Sequence, residues 1–231
     1  MATDFHIFHG ENTVQSRSDW LQIKELFESK GFTASQHNAK QLDLAQLEQL
    51  LSAQSLFGDQ RVITIEGLLS LPQSKKKKQL VSYLAEQLEL DVAILLWEPK
   101  LITAAGLKPF KKAQVHTHKA AKQIFSWLDS LGQTKSAQMQ QQLSQLTAQE
   151  SAIFIHTMLA RQLRMLIAAK DGGTVTGAPF MIKKLQAQAQ RFQLRQLLAA
   201  HQSVLEIEYR QKQGITRLTW EQELDLWLIS L

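Results

Sequence analysis

Six consecutive residues, Val92-Ala93-Ile94-Leu95-Leu96-Trp97, are apolar without a break, and that run limits the folds open to the chain. A strand that is apolar on both faces must be covered on both faces, which places it in the middle of a parallel sheet with helices above and below. Glu98-Pro99-Lys100 ends it, because proline cannot continue a ladder. The residues before the run alternate in kind. Phe5 to Gly10 reads as a first strand, and a helix through Trp20, Ile23, Leu26 and Phe27 follows, closed by Gly31. Phe32 to His37 is a weaker strand, Leu42 to Leu51 a helix, and Val62-Ile63-Thr64-Ile65 a buried strand. A lysine-led helix through Leu80, Tyr83, Leu84 and Leu88 precedes the central run. A last short strand near Ala113–Thr117 leads into a helix through Ile124, Phe125, Trp127 and Leu128. Strand and helix in alternation predict a parallel, three-layer α/β domain over residues 1–131.

From Thr134 onward no convincing strand remains. Met139, Leu143 and Leu146 keep helical spacing inside a glutamine-rich stretch, and Ile153 to Lys170 reads as a long helix with Phe154, Met158, Leu163, Leu166 and Ile167 inward. Asp171-Gly172-Gly173 stops it, and Pro179 opens the next helix at a position proline favours. Leu194, Leu197, Leu198, His201, Val204 and Leu205 form a further apolar stripe, with His201 expected as a hydrogen-bonded core residue. Thr219 is the expected N-cap of a closing helix that turns Leu224, Trp227, Leu228 and Leu231 inward. Residues 132–231 are thus expected to form an all-α bundle.

With no cysteine in 231 residues, disulfide, thiolate and cysteine-ligated metal chemistry are excluded. No apolar run approaches the roughly 20 residues of a membrane span, and the first residues show no signal peptide, so a cytoplasmic location without membrane association is expected. Of the net charge of +5, residues 131–231 carry +4. Arg161, Arg164, Lys170, Lys183, Lys184, Arg191 and Arg195 are opposed in their own stretch only by Asp171. Such an excess forms a solvated basic face, or meets a polyanion or an acidic partner. Lys75, Lys76, Lys77 and Lys78 open a helix and oppose its dipole, either as a solubilising surface or as a contact to nucleic-acid backbone.

An α/β sheet invites a search for a phosphate loop after the first strand. There the chain reads Gly10-Glu11-Asn12-Thr13-Val14-Gln15-Ser16-Arg17, which is neither GxxxxGK[ST] nor GxGxxG, and Glu11 sets a carboxylate where phosphate would lie. ATP or GTP hydrolysis is not expected, nor is any cofactor. His116 and His118 project to one side of a strand without a third ligand nearby, so a surface pair is expected in place of a metal site. His6 and His9 have no nucleophile to pair with, and Glu98 stands alone at its strand end. No catalytic residue is identified.

One stretch fits a core poorly. Ser55-Leu56-Phe57-Gly58 follows the Leu42–Leu51 helix and precedes Arg61 and the Val62–Ile65 strand. Two large apolar residues side by side at a helix-to-strand corner either plug the end of the core or stand out as an anchor pair for a pocket on a partner.

In order, these pieces resemble the delta subunit of the bacterial DNA polymerase III clamp loader. Four stretches carry the likeness: Ser55-Leu56-Phe57-Gly58 with the strand after it; Ala93 to Leu96 with Pro99-Lys100-Leu101; Met158 to Arg164; and Pro179-Phe180 through Lys184 and Ala189, with Glu208 to Lys212 and Gly214. The resemblance implies a degenerate P-loop, AAA+-like α/β domain without ATPase activity, followed by a helical collar-like domain. It also implies clamp binding through Leu56 and Phe57, with Ser55 and Gly58 beside them, and partnership with the sliding clamp and other loader subunits, DNA being a further possible partner. Members of that family are longer, with a small helical domain in the middle that this sequence lacks, and they show Asp where Glu208 stands. The expected function is therefore a non-catalytic delta-like subunit that binds and opens the sliding clamp in DNA replication. A nucleic-acid-binding protein using Lys75–Lys78 together with Arg161, Arg164, Lys183 and Lys184 is the alternative. An enzyme with a small ligand at the carboxyl ends of the strands is a third reading.

Overall fold

A computed structural model of the chain describes residues 4–52, 60–86 and 92–230. The chain divides into two compact units, Met1–Ala120 and Ala121–Leu231.

In the first unit the strands β1 (Phe5–Gly10), β2 (Thr33–Asn38), β3 (Arg61–Glu66), β4 (Val92–Trp97) and β5 (Gln114–His118) form one sheet in the order β2-β3-β4-β1-β5, every pairing parallel. Alternation along the strands sorts the core into two layers. Phe8, Val62, Ala93 and Leu95 pack under α1 (Thr13–Ser29) through Trp20 and Phe27. On the other face Phe5, Ile7, Ile63, Ile65, Ile94 and Leu96 meet α2 (Leu44–Ser52) through Leu47 and Leu51, and α3 (Lys75–Glu86) through Leu80 and Leu84. The unbroken apolar run is β4, third of five and covered on both sides, as its composition requires. A four-residue helix absent from the sequence expectation, α4 (Ala104–Leu107), follows β4; Thr103 caps it by accepting from Gly106 N–H.

The second unit is helical. It comprises α5 (Lys122–Asp129), α6 (Ser136–Thr147), α7 (Ala152–Lys170), α8 (Pro179–Ala189), α9 (Leu194–Lys212) and α10 (Trp220–Ser230). The expected boundary at residue 131 falls too late. Trp127 on α5 is buried and donates to Met139 O on α6 at 3.1 Å, which makes α5 part of the helical unit. Gly132 turns the chain between these helices with φ +78°, and the ring of Phe192 fills the space its Cβ would take. The six residues between the end of α5 and the start of α6 include no further domain.

Among the described residues α7 is the one helix long and apolar enough to cross a bilayer, contrary to the expectation that no such run exists. It is the buried centre of its unit, with Phe154, Ile155, Leu159, Leu163 and Leu166 inside and Arg161 and Arg164 exposed. Two other expectations change. Leu198 and Leu205 on α9 are exposed, and the helix instead buries Leu197, Ala200, Val204 and Ile207. His201 is not a hydrogen-bonded core residue; its Nε2 has no partner, and His156 on α7 is the buried histidine of this unit, bonded to Val204 O at 2.9 Å. The closing helix starts as expected: Thr219 and Gln222 cap each other reciprocally, and Leu224, Trp227 and Leu228 are buried. Leu88 and Leu231, both expected inward, lie outside the described residues. Arg210 reaches from α9 to Glu223 of α10, whose carboxylate is 3% exposed, by two hydrogen bonds, and the guanidinium holds that carboxyl below its ordinary range. Arg210→Ala is expected to destabilise this unit by about 2–3 kcal/mol in urea unfolding, because a buried carboxylate loses its counter-charge while the outer half of the pair is solvent-screened.

Candidate functional site

In a sheet of this order a ligand belongs at the carboxyl ends of the strands, in the crevice between β1 and β4, whose outgoing connections run over opposite faces. The first strand closes that place tightly. Only Glu11 and Asn12 separate Gly10, the last residue of β1, from Thr13, the first of α1. Gly10 lies so close to β5 that a Cβ would come 1.9 Å from His118 O, and Asn12 N–H donates to the same carbonyl at 3.0 Å. Asn12 also caps α1: its Oδ1 accepts from Gln15 N–H at 2.9 Å and its carbonyl from Ser16 N–H at 3.0 Å. The amides that would face a phosphate in a nucleotide-binding turn are turned to the protein's own atoms. Glu11, expected at the phosphate position, accepts from Ala120 N–H at 3.3 Å.

Side chains tie the strand ends together, and beside them an open pocket of about 360 Å³ remains between Asn38, Glu66, Trp97 and Lys100. The Arg17 guanidinium lies 4.6 Å above the centre of the Trp97 ring and donates to Glu66 at 3.0 Å, while Gln36 donates to the other oxygen of Glu66. This chain of contacts spans the ends of β2, β3 and β4. Across β1, His9 is 1% exposed; its Nδ1 accepts from Ile102 N–H at 3.1 Å and its Nε2 bonds the Thr117 hydroxyl. The segment after β4 is thereby drawn over the crevice.

Glu98, isolated in the sequence, is fully buried. Its carboxylate accepts from Leu69 N–H at 2.7 Å and Ser70 N–H at 2.9 Å. Burial pushes its pKa up, resisted by the hydrogen bonds from the Leu69 and Ser70 amides and by the Lys77 charge. Lys77 bonds the carbonyls of Leu69 and Leu71, and Lys76 bonds Lys40 O. Two of the four consecutive lysines therefore brace loops of their own unit, whereas Lys75 and Lys78 are exposed.

The expected clamp-binding residues Ser55, Leu56, Phe57 and Gly58 lie outside the described residues. Their flanks are fixed. Arg61, the first residue of β3, bonds Leu50 O at 2.9 Å and Leu51 O at 3.4 Å, capping the end of α2 with a cation where the helix dipole favours one. The sequence showed an arginine before a strand but not that it reaches back to the preceding helix.

The histidines are packed, not superficial. His116 stacks on Phe8 at 4.4 Å, and its Nε2 lies 3.0 Å from Nδ1 of His6, so the pair shares one proton. His118 approaches Asp19 at 3.5 Å. The expectation of a surface pair at 116 and 118 fails because α1 covers both. Among the described residues no group of three metal-ligating side chains forms. Burial lowers the pKa of His6, His9, His37, His116, His156 and His201. A histidine with a depressed folded pKa costs nothing above its unfolded value of about 6.5. Below that value the unfolded chain takes up protons first, and stability falls until the folded pKa is reached. The urea midpoint is expected to hold steady above pH 6.5 and to drop on acidification to pH 5.5; a midpoint that rose over this interval would contradict these burial assignments.

In the helical unit the basic residues disperse. Lys184 pairs with Asp129 of α5, and Arg191 donates to Asp129 O and Leu131 O. Arg164 lies near His201 and Glu208. Lys183 and Arg161 are exposed. Two of the seven cations, Lys184 and Arg191, are thus engaged within their own unit, and Asp129, from outside their stretch of sequence, offsets part of the charge.

No family model matches the chain, and no curated protein matches it. Among solved structures it is similar to the Bacillus subtilis DNA clamp loader delta protein (YqeN), with 15% sequence identity and a TM-score of 0.46, over 99% of this chain and 95% of that one.

Proposed function

We propose that this chain is a delta-like, non-catalytic subunit related to the clamp loader, which grips the sliding clamp through Leu56 and Phe57. Its helical unit joins other loader subunits, and these provide the ATP switch. The observation that carries the reading is the two-residue connection from β1 to α1, whose amides and side chains are bound internally while Arg17, Trp97 and Glu66 cover the strand ends. A sheet that has given up its phosphate cradle keeps its use as a rigid mount. Arg61 ties α2 to β3 at the two roots of the segment that carries the anchor pair. The order of sequence motifs supplies the rest.

The mechanism is mechanical. Leu56 and Phe57 enter an apolar pocket on the clamp, with Ser55 and Gly58 beside them in sequence, and binding favours a ring whose subunit interface is weakened. It opens the ring only to the extent that it prefers the open form. A thermal-shift titration with ATP and magnesium is expected to leave the unfolding temperature of the chain unchanged, and a saturable rise would contradict the closed-crevice reading. The nucleic-acid reading is less well supported, since Lys76 and Lys77 are engaged with backbone carbonyls. It predicts DNA binding that falls steeply with salt, measurable by polarisation with a labelled duplex.

A further inference from the structure

The helical unit holds a groove of about 330 Å³ between α5, α7 and α8, within the size range of pockets that take a ligand or an anchoring side chain. Its floor is Leu128, Met158, Met165 and Leu185, and its lips are Phe125 and Phe180. Phe180 is 71% exposed and its neighbour Met181 56%, although both open a helix that buries Leu185 four residues on. Methionine's unbranched side chain lets such a surface adapt to what enters it.

The polar groups around the groove are unequally committed. Gln162 donates to Gln188, and Lys184 is paired with Asp129. Asp129, the one carboxylate among the described lining residues, is taken up by Lys184, which leaves Arg161, exposed at the rim, as the cation in excess; Lys183 is exposed on the adjoining helix. The groove therefore offers apolar depth and an uncompensated cation at its edge.

We propose that this groove docks an acidic, amphipathic segment of a partner protein, one large apolar side chain entering between Phe125 and Phe180 and a neighbouring carboxylate pairing with Arg161. Charge complementarity selects the occupant. A nucleic-acid base in the groove would have to desolvate its polar edge against methyl and methylene groups, whereas a Leu or Phe side chain loses nothing there. The pairing at Arg161 is planar and bidentate, the geometry a guanidinium favours for carboxylates. The mode is that of an amphipathic helix laid in a groove. This proposal is independent of the clamp reading, since it uses no residue near Leu56 or Phe57.

The test is selection of a random 15-residue peptide display library on the intact chain, followed by affinity measurement with the selected peptides in synthetic form. Two variants at exposed positions, Arg161→Glu and Phe180→Ala/Met181→Ala, leave the buried core untouched, and circular dichroism confirms their fold. Selected peptides are expected to combine Asp or Glu with Leu, Phe or Trp, and to lose at least tenfold in affinity to either variant. Peptides without acidic enrichment, peptides that bind both variants as well as the parent, or an empty selection would overturn the proposal. So would an oligothymidylate binding this groove more tightly than any selected peptide and losing affinity in the same variants, which would make it a nucleic-acid surface.

Discussion

Replacing Leu56 and Phe57 together by alanine is expected to weaken binding to a purified sliding clamp by at least about 150-fold while the thermal midpoint stays where it was. Burial of an exposed leucine and phenylalanine contributes about 1.5–3 kcal/mol each, so the pair carries about 3–6 kcal/mol. The flanks of the segment explain why the fold should survive. Leu51 on one side and Val62 on the other are already buried, and Arg61 secures both through the carbonyls of α2. Single substitutions should each lose part of the affinity. A double variant that binds as tightly as the parent removes the anchor pair from the account; one that unfolds makes it a core plug instead.

The second large effect is structural. Glu98→Ala is expected to destabilise the α/β unit by about 3–5 kcal/mol, because a buried amide at Leu69 and a half-buried one at Ser70 lose a charged acceptor and Lys77 loses an opposing charge. For a unit of this size that amounts to a fall of about 10–15 °C in the unfolding midpoint. Glu98→Gln should cost less. Its amide oxygen still accepts one N–H, and the raised pKa of Glu98 means burial already disfavours the charge that glutamine lacks. Differential scanning calorimetry on both variants separates the cases: equal losses would mean that the charge, not the acceptor, holds Leu69 and Ser70.

These residues also show where the sequence could be read and where it could not. The unbroken run from Val92 to Trp97 demanded cover on both faces, and β4 has it. The missing phosphate loop was plain from Gly10 to Arg17, but what replaced it was not. That Asn12 caps α1, and that Arg17 lies on Trp97 some 80 residues away, depends on which strand neighbours which, and β1 sits beside β4 and β5, far from β2. Glu98 looked incidental because its partners at 69 and 70 belong to another loop. On α9 the adjacent pairs Leu197-Leu198 and Val204-Leu205 offer two overlapping stripes. Trp227, donating from α10 to Ala200 O at 3.2 Å, selects the stripe that is buried. α5 reads in sequence as the last helix of an alternating domain, and the bonds from Trp127 to Met139 O and from Lys184 and Arg191 to Asp129 assign it to the bundle. The groove near Arg161 is invisible in the sequence for the same reason: its walls come from three helices and are spread from Phe125 to Leu185.

The account turns on whether this chain and a sliding clamp recognise each other without nucleotide. Native mass spectrometry of the purified chain mixed with an intact clamp, in the absence of ATP, tests that most directly. A complex with the mass of the clamp plus the chain, absent when Leu56 and Phe57 are both alanine, is the predicted result. Free clamp and free chain only, at micromolar concentrations and low salt, would contradict it.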